Sequence, residues 1–217
     1  MDFAGELETH LTVDVTSSDD VAALRAWAAG RGLKFTHIVL ARGRTPSQPM
    51  LTRHGRGTLA AELAASAELT RALRDAGFVV SRVKVEAAPW NASVPKTDDE
   101  GARHPPQRYF EHHVKLLLAA EADIAPITAI AARHVAHVSR NALRRRDDGR
   151  QERFVTQRCR GVGRETAHAR LEAMLSDLAA GGYGGDAAID VEEEFVVHDT
   201  NVAIDAGWID ADGEARA

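Results

Sequence analysis

The sequence predicts an α+β protein made of two tandem βαββαβ units, each an antiparallel sheet with its helices on the outer face. Three observations carry this. Residues 50–57 (MLTRHGRG) and 154–161 (FVTQRCRG) write nearly the same phrase twice in a chain of 217 residues. The matches keep one register: His10 to His113, Thr52 to Thr156, Gly77 to Gly181 and Glu86 to Glu192 are 103, 104, 104 and 106 positions apart. The order of strand-like and helix-like periods around them is the same in both halves, and such repetition at a fixed spacing marks a duplicated architecture.

In the first half, ELETHLTVDV (6–15) alternates polar and apolar residues as a half-buried strand does. Ser18 offers an N-cap, with Asp19 and Asp20 in the favourable first turn. Val21, Leu24 and Trp27 follow at helical spacing until Gly30 and Gly32. KFTHIVLAR (34–42) is a strand by its β-branched and aromatic content, and QPMLTRH (48–54) is its hairpin partner. Thr58 caps a helix with Leu59, Leu63, Leu69 and Leu73 on one stripe, closed by Gly77, and FVVSRVKVE (78–86) is the last strand.

The second half repeats the order. YFEHHVKLLL (109–118) is a strand, and Pro126, Ile127, Ile130, His134 and Val138 belong to a helix with proline in its first turn. NALRRR, DDGR and QERFVTQRC form a hairpin turning at Asp148-Gly149. Ala167, Leu171, Met174, Leu175 and Leu178 make the second helix stripe, and AAIDVEEEFVV (187–197) closes the unit. Each βαββαβ unit resembles a ferredoxin-like fold, with both helices on one face of four antiparallel strands. The boundaries read 1–87 and 109–198 for the repeats. Residues 88–108, with four prolines, form a linker. Residues 199–217 are a C-terminal extension adding an edge strand, with Trp208 packed on the body.

Composition bounds the function classes. Hydrophobic residues are 44% and charged residues 27%, the balance of a globular protein, and a net charge of −5 gives no basic field to recruit nucleic acid or anionic lipid. Aromatic residues, at 5%, do not interleave the arginines, which argues against base stacking on RNA. The lone Cys159 fits a reducing cytoplasm, and the apolar runs fall short of the roughly 20 residues a membrane span needs. A cytoplasmic protein with no membrane partner is expected.

The sheet face away from the helices carries the chemistry. Leu7, Leu11, Val13 and Val15 point to the helices, so Glu8, His10 and Thr12 point away; Phe110, Val114 and Leu116 leave Glu111, His113 and Lys115 on the open side. On the closing strands, Val83 and Val85 turn inward and expose Arg82, Lys84 and Glu86. Ile189 and Val191 likewise expose Asp190 and Glu192, with Glu194 next in that alternation. Each half thus sets a Glu-x-His beside a Glu: Glu8, His10, Glu86 and Glu111, His113, Glu192. Imidazole and carboxylate are the ligands for Zn²⁺, Fe²⁺, Mn²⁺ or Ni²⁺, so a divalent metal is the cofactor they would take. The plain alternative is a solvated sheet face.

This layout resembles vicinal-oxygen-chelate enzymes, whose duplicated modules each give a His from the first strand and a Glu from the last. The resemblance implies His10, Glu86, His113 and Glu192 as metal ligands. The extra helix in each module sets this chain apart from that family. HLTV (10–13) also resembles the HxT signature of 2H phosphoesterases, which implies His10 and His113 as acid and base on a phosphodiester, with Thr12 and Lys115 on the phosphate. Lysine at 115 breaks the second copy of that motif. Arginines near the strand-to-helix joints HGRGT (54–58) and CRGVGRET (159–166), together with Lys84 and the basic hairpin, make Arg53, Arg56, Arg144, Arg158, Arg160 and Lys84 candidates for an anionic ligand.

The expected function is therefore a small-molecule or nucleotide enzyme, a metal-assisted enzyme or hydrolase, working in a polar cleft between the halves. A non-catalytic module binding an anion or a protein partner is the remaining class.

Overall fold

The computed structural model describes residues 3–143 and 147–208. Alternation sets the first strand, β1 (Ala4–Asp14), and a capping box starts α1 (Ser18–Ala29). There the Ser17 hydroxyl accepts from the Asp20 amide, so Ser17 rather than Ser18 is the cap. β2 (Lys34–Leu40) and β3 (Ser47–Thr58) form a hairpin, and Thr58 accepts from the Ala61 amide to cap α2 (Leu59–Asp75) before β4 (Val79–Ala87). A four-residue helix, α3 (Asp98–Gly101), interrupts the proline-containing segment. The second half runs β5 (Tyr109–Leu118), α4 (Ala125–Arg133), β6 (Ala136–Asn141), β7 (Gln151–Arg160), α5 (Arg164–Leu178) and β8 (Ala188–Asp199).

Both halves have the strand order of a ferredoxin-like sheet, with the first strand between the third and the fourth. They do not face each other as two open sheets across a cleft. The eight strands close into one barrel in the order β1-β3-β2-β6-β7-β5-β8-β4. Two antiparallel seams join the halves. Ile38 to Leu40 pair with Asn141 to Ser139, and Lys84 to Ala87 pair with Asp199 to Phe195. Closure uses the hydrogen-bonding groups that each four-stranded sheet would leave free at its two edges.

Apolar side chains fill the space between the barrel wall and the helices. Leu11, Val13 and Leu51 pack with Leu24 and Leu73 over the first half; Val114, Leu116 and Val155 pack with Ile127, Leu171 and Met174 over the second. A third cluster sits on the β4–β8 seam, where Phe195 lies 4.8 Å from Phe110 and 6.0 Å from Phe3 between ring centroids. The opposite face lines the barrel interior, which an eight-stranded closure leaves just wide enough for side chains. Here the filling is charged.

Arg82 donates to both Asp199 oxygens at 2.9 and 2.6 Å and to Asp205 at 3.0 Å, while Arg158 donates to Asp205 at 2.8 Å and to Glu111. Tyr109 donates to Asp199 at 2.9 Å, and Gln48 donates to Asp205 at 2.9 Å. Asp205, in the turn after β8, thereby ties together β3, β4 and β7, which are not neighbours in the barrel wall, so the network crosses its interior.

Three local expectations change. The helix expected to continue through His134 and Val138 ends at Arg133. Val135 then adopts a left-handed φ of 53°, and His137 and Val138 belong to β6. Ala136 and Val138 are buried two residues apart, so a strand period overlaps the helical one there. The hairpin strand expected at NALRRR therefore lies earlier, at 136–141. Among the described residues the extension after β8 holds a 3₁₀ turn over Val202–Asp205 and no edge strand, because the closed barrel has no edge to offer. Trp208 packs on Leu40 and Ile38 and donates to the Val138 carbonyl at 3.0 Å. Arg144 to Arg146 and residues 209–217 lie outside the described residues.

Segment 88–108 is docked on the body: Val94 is buried, and the Asp98 carboxylate accepts from the Gly163 amide at 2.8 Å. Glycine is required at 163, because a Cβ there would lie 2.4 Å from the Thr97 carbonyl carbon.

Asp205 is 1% exposed and serves two buried guanidinium groups. Asp205→Ala should destabilise the fold by about 3–5 kcal/mol, read from the urea midpoint, because Arg82 and Arg158 stay buried and each loses one of its two carboxylate partners. Burial works to raise the Asp199 and Asp205 carboxyls, but Arg82 for the first, and Arg158 with Arg82 for the second, hold both below their usual range. Their contribution is therefore present above the unfolded value near pH 4 and is lost as pH falls through the folded values. Acid titration followed by circular dichroism should show this loss in the wild type and less of it in Asp205→Ala.

Candidate metal centre

The barrel interior divides into two poles. The arginine–aspartate network fills one, and carboxylates with histidines fill the other. Glu8 and His10 stand on β1, Lys84 and Glu86 on β4, Glu111 and His113 on β5, and Glu194 on β8. Across the paired strands Glu8 lies opposite Glu86, and Glu111 lies opposite Glu194.

The two imidazoles are held alike. His10 Nδ1 is hydrogen-bonded to Thr52 Oγ1 at 2.9 Å, and His113 Nδ1 to Thr156 Oγ1 at 3.0 Å. Strand register makes these bonds, since His10 pairs with Thr52 across β1–β3 and His113 with Thr156 across β5–β7. Each Nε2 is left facing carboxylates. That of His10 is 2.7 Å from Glu86 and 3.5 Å from Glu8; that of His113 is 3.4 Å from Glu111 and 3.7 Å from Glu194. One ligand atom each of Glu86, Glu111 and His113 lies within 4.8 Å of the others. Glu86 thus touches the imidazole of one half and neighbours that of the other.

Lys84 sits among these groups, with its ammonium 2.5 Å from Glu86 and against Glu111. Burial pushes against every charge here, and the partners decide the outcome. Arg158 and Lys84 overcome burial to hold the Glu111 carboxyl well below the usual range, and Lys84 with His10 does the same for Glu86. Glu194 goes the other way: burial and the carboxylates of Glu86, Glu8 and Glu111 raise it well above the usual range, against the pull of Lys84. Negative charge is therefore in excess at this pole.

The structure brings His10, Glu86, His113 and Lys84 together. Thr12 is buried on β1 and pairs across the strands with Arg82 of the arginine–aspartate network. Glu192 does not join them. It is exposed, and the register places Glu194, not Glu192, where the second half needs the counterpart of Glu86. Glu192 and Glu194 share a face by period-two alternation, which does not choose between them; the register sets Glu192 opposite His113 and Glu194 opposite Glu111. Lys115 reaches Glu152 at 3.6 Å and is not beside His113 as a phosphate clamp.

The arginines do not converge. Arg53 is bound to Glu62 on α2, Arg56 lies 3.8 Å from Glu6 on the surface, and Arg158 is committed to Glu111 and Asp205. Arg160 donates to the Pro106 carbonyl and stacks over Tyr109 at 4.3 Å, and Arg144 lies outside the described residues. The N-terminus of α5 already holds the Asp98 carboxylate, so the joint at CRGVGRET is not open to an anion.

Thr52 and Thr156 were not singled out as imidazole partners, yet they sit at the same place in the two repeated phrases, 42 and 43 residues after their histidines. That paired offset was the available signal. Asp205 had none, because a turn after the last strand reveals its partners only once the barrel is closed.

No family model matches the chain, and no curated protein matches it. Among solved structures it is similar to the small subunit of acetolactate synthase from Thermotoga maritima, at 11% identity over 88% of this chain and 94% of that one, with a TM-score of 0.30. A likeness to the regulatory subunit of aspartate kinase from Thermus thermophilus has 12% identity over 82% and 95%, with a TM-score of 0.32. A likeness to chlorite dismutase from Candidatus Nitrospira defluvii has 11% identity over 93% of each chain, with a TM-score of 0.30. At this level the similarities extend to neither activity nor ligand.

Proposed function

We propose that the carboxylate–histidine pole of the barrel is a divalent-metal centre serving chemistry on a small molecule. The observation that carries this is the matched pair of Thr–His hydrogen bonds. In the tautomer that donates Nδ1–H to the threonine hydroxyl, each Nε2 offers a lone pair to a cation held among the carboxylates. A cation between those groups relieves a repulsion that the metal-free arrangement meets with protons, Lys84 and Arg158. Orientation of a ligating imidazole through its other nitrogen is the usual device at metal sites.

His10, Glu86, Glu111 and His113 are the ligand set, with Glu8 and Glu194 at its edge. Such a set suits Zn²⁺, Mn²⁺ or Fe²⁺. A cation held there would polarise a carbonyl or phosphoryl oxygen, or lower the pKa of a bound water. A carboxylate at the edge is placed to accept a proton. The phosphodiester reading finds less support: both imidazoles stand among carboxylates, which repel a phosphate, and Lys115 is turned to Glu152.

Metal analysis of untagged protein tests the proposal. One Zn²⁺ or Mn²⁺ per chain is expected, lost in the His10→Ala/His113→Ala variant with the fold intact by circular dichroism. No bound metal in the wild type at tens of micromolar would overturn it. Thr52→Val with Thr156→Val should weaken metal affinity about 10- to 100-fold while leaving the ligands in place, measured by competition with a chelating dye.

Lys84→Met supplies an independent check. Without the ammonium, Glu86 and Glu111 are left less compensated, so the metal-free variant should lose about 3–5 kcal/mol. Added Zn²⁺ or Mn²⁺ should then raise its Tm more than it raises that of the wild type.

A further inference from the structure

The carboxylate–histidine pole opens outward into a cavity of about 670 Å³ at the barrel mouth, lined by β1, β3, β4 and β8. This is the size of a small-molecule site. Its walls carry Glu6, Glu8, Glu86, Glu192, Glu193 and Glu194, with Trp90 at the rim. His54 and Arg56 are the basic side chains of the wall, and they lie 3.4 Å from Glu8 and 3.8 Å from Glu6. Glu193 is 3.2 Å from His168. Glu192 has no ion-pair or hydrogen-bond partner among the described residues.

Two features point to a ligand rather than to a solvated acidic surface. Glu86, 1% exposed, borders the cavity from its floor, where it shares the Lys84 ammonium with Glu111 and the His10 imidazole with Glu8. Trp90 is 77% exposed, an indole face left to water beside unmatched negative charge. An aromatic face next to carboxylates is how proteins bind organic cations, since the ring quadrupole and the anions attract the same ammonium. An anionic substrate would meet repulsion from the carboxylates on β1, β4 and β8.

We propose that this cavity receives an organic ammonium compound of the amine or polyamine class, with the cation held between Trp90 and Glu192 and the rest of the molecule directed toward Glu86. The inference names a substrate class for the metal centre and rests on that reading for the direction in which the molecule is presented. The residues that carry it, Trp90 and Glu192, lie outside the ligand set.

Calorimetric titration of untagged, manganese-loaded protein with spermidine in 150 mM salt tests it. Sorbitol serves as the neutral control and citrate as the anionic one. Saturable binding of one spermidine per chain is expected, weakened about fivefold or more in Trp90→Ala and in Glu192→Gln, with no binding of either control. Both variants should keep the metal content of the wild type, which separates the groove from the centre beneath it.

Wild-type protein that holds its metal but binds no spermidine overturns the substrate class and leaves the metal reading standing. Binding unchanged in both variants overturns the assignment of the cavity. Spermidine binding that manganese abolishes would put the amine on the floor in place of the ion, and would overturn the arrangement proposed here.

Discussion

Closure of the eight strands is the constraint from which the rest of the structure follows. Had the two sheets stayed open, their polar faces would be solvated, and each charged side chain would keep its water. The seams between β2 and β6 and between β4 and β8 turn those faces inward instead. Arg82, Lys84, Glu86, Glu111, Arg158, Asp199 and Asp205 all become buried. An isolated charge in such a place costs several kcal/mol, so each must find an opposite charge or shift its protonation.

The interior meets that demand unevenly. At one pole the account closes: two guanidinium groups face two aspartates, with Tyr109 and Gln48 supplying further hydrogen bonds. At the other, Glu8, Glu86, Glu111 and Glu194 share Lys84, two imidazoles and one contact from Arg158. Buried ion pairs are weak evidence for stability, because apolar residues of similar volume do as well or better. Charge left in excess at a cavity is better explained by what the cavity takes in. The metal and amine proposals both express that single imbalance, at two depths of one opening.

The matched histidines show how repetition of sequence becomes repetition of geometry. A threonine directly across the strand pair from each histidine fixes the ring, and strand register sets that relation without any help from loops. The halves diverge in the residue set across from the histidine: Lys84 pairs with His10 but Glu192 with His113, so Glu194, opposite Glu111, is the counterpart of Glu86, opposite Glu8.

The order of elements, the helix-facing stripes and the partition of β1 and β5 into apolar and polar faces were legible in the sequence, because they rest on periods of 2 and 3.6 that local chemistry sets. Glu8, His10, Glu111 and His113 could be placed on one face by that rule alone. Whether that face met water, a cleft or the inside of a barrel was decided by pairing between strands more than 90 residues apart, such as Leu40 with Ser139. Period-two alternation is identical in an open sheet and a closed one, so nothing local distinguishes them. The same holds for Glu194 and Asp205, whose partners come from other strands and from the turn after β8. Sequence by itself determined which side chains share a face; the closure of that face on itself determined which of them meet.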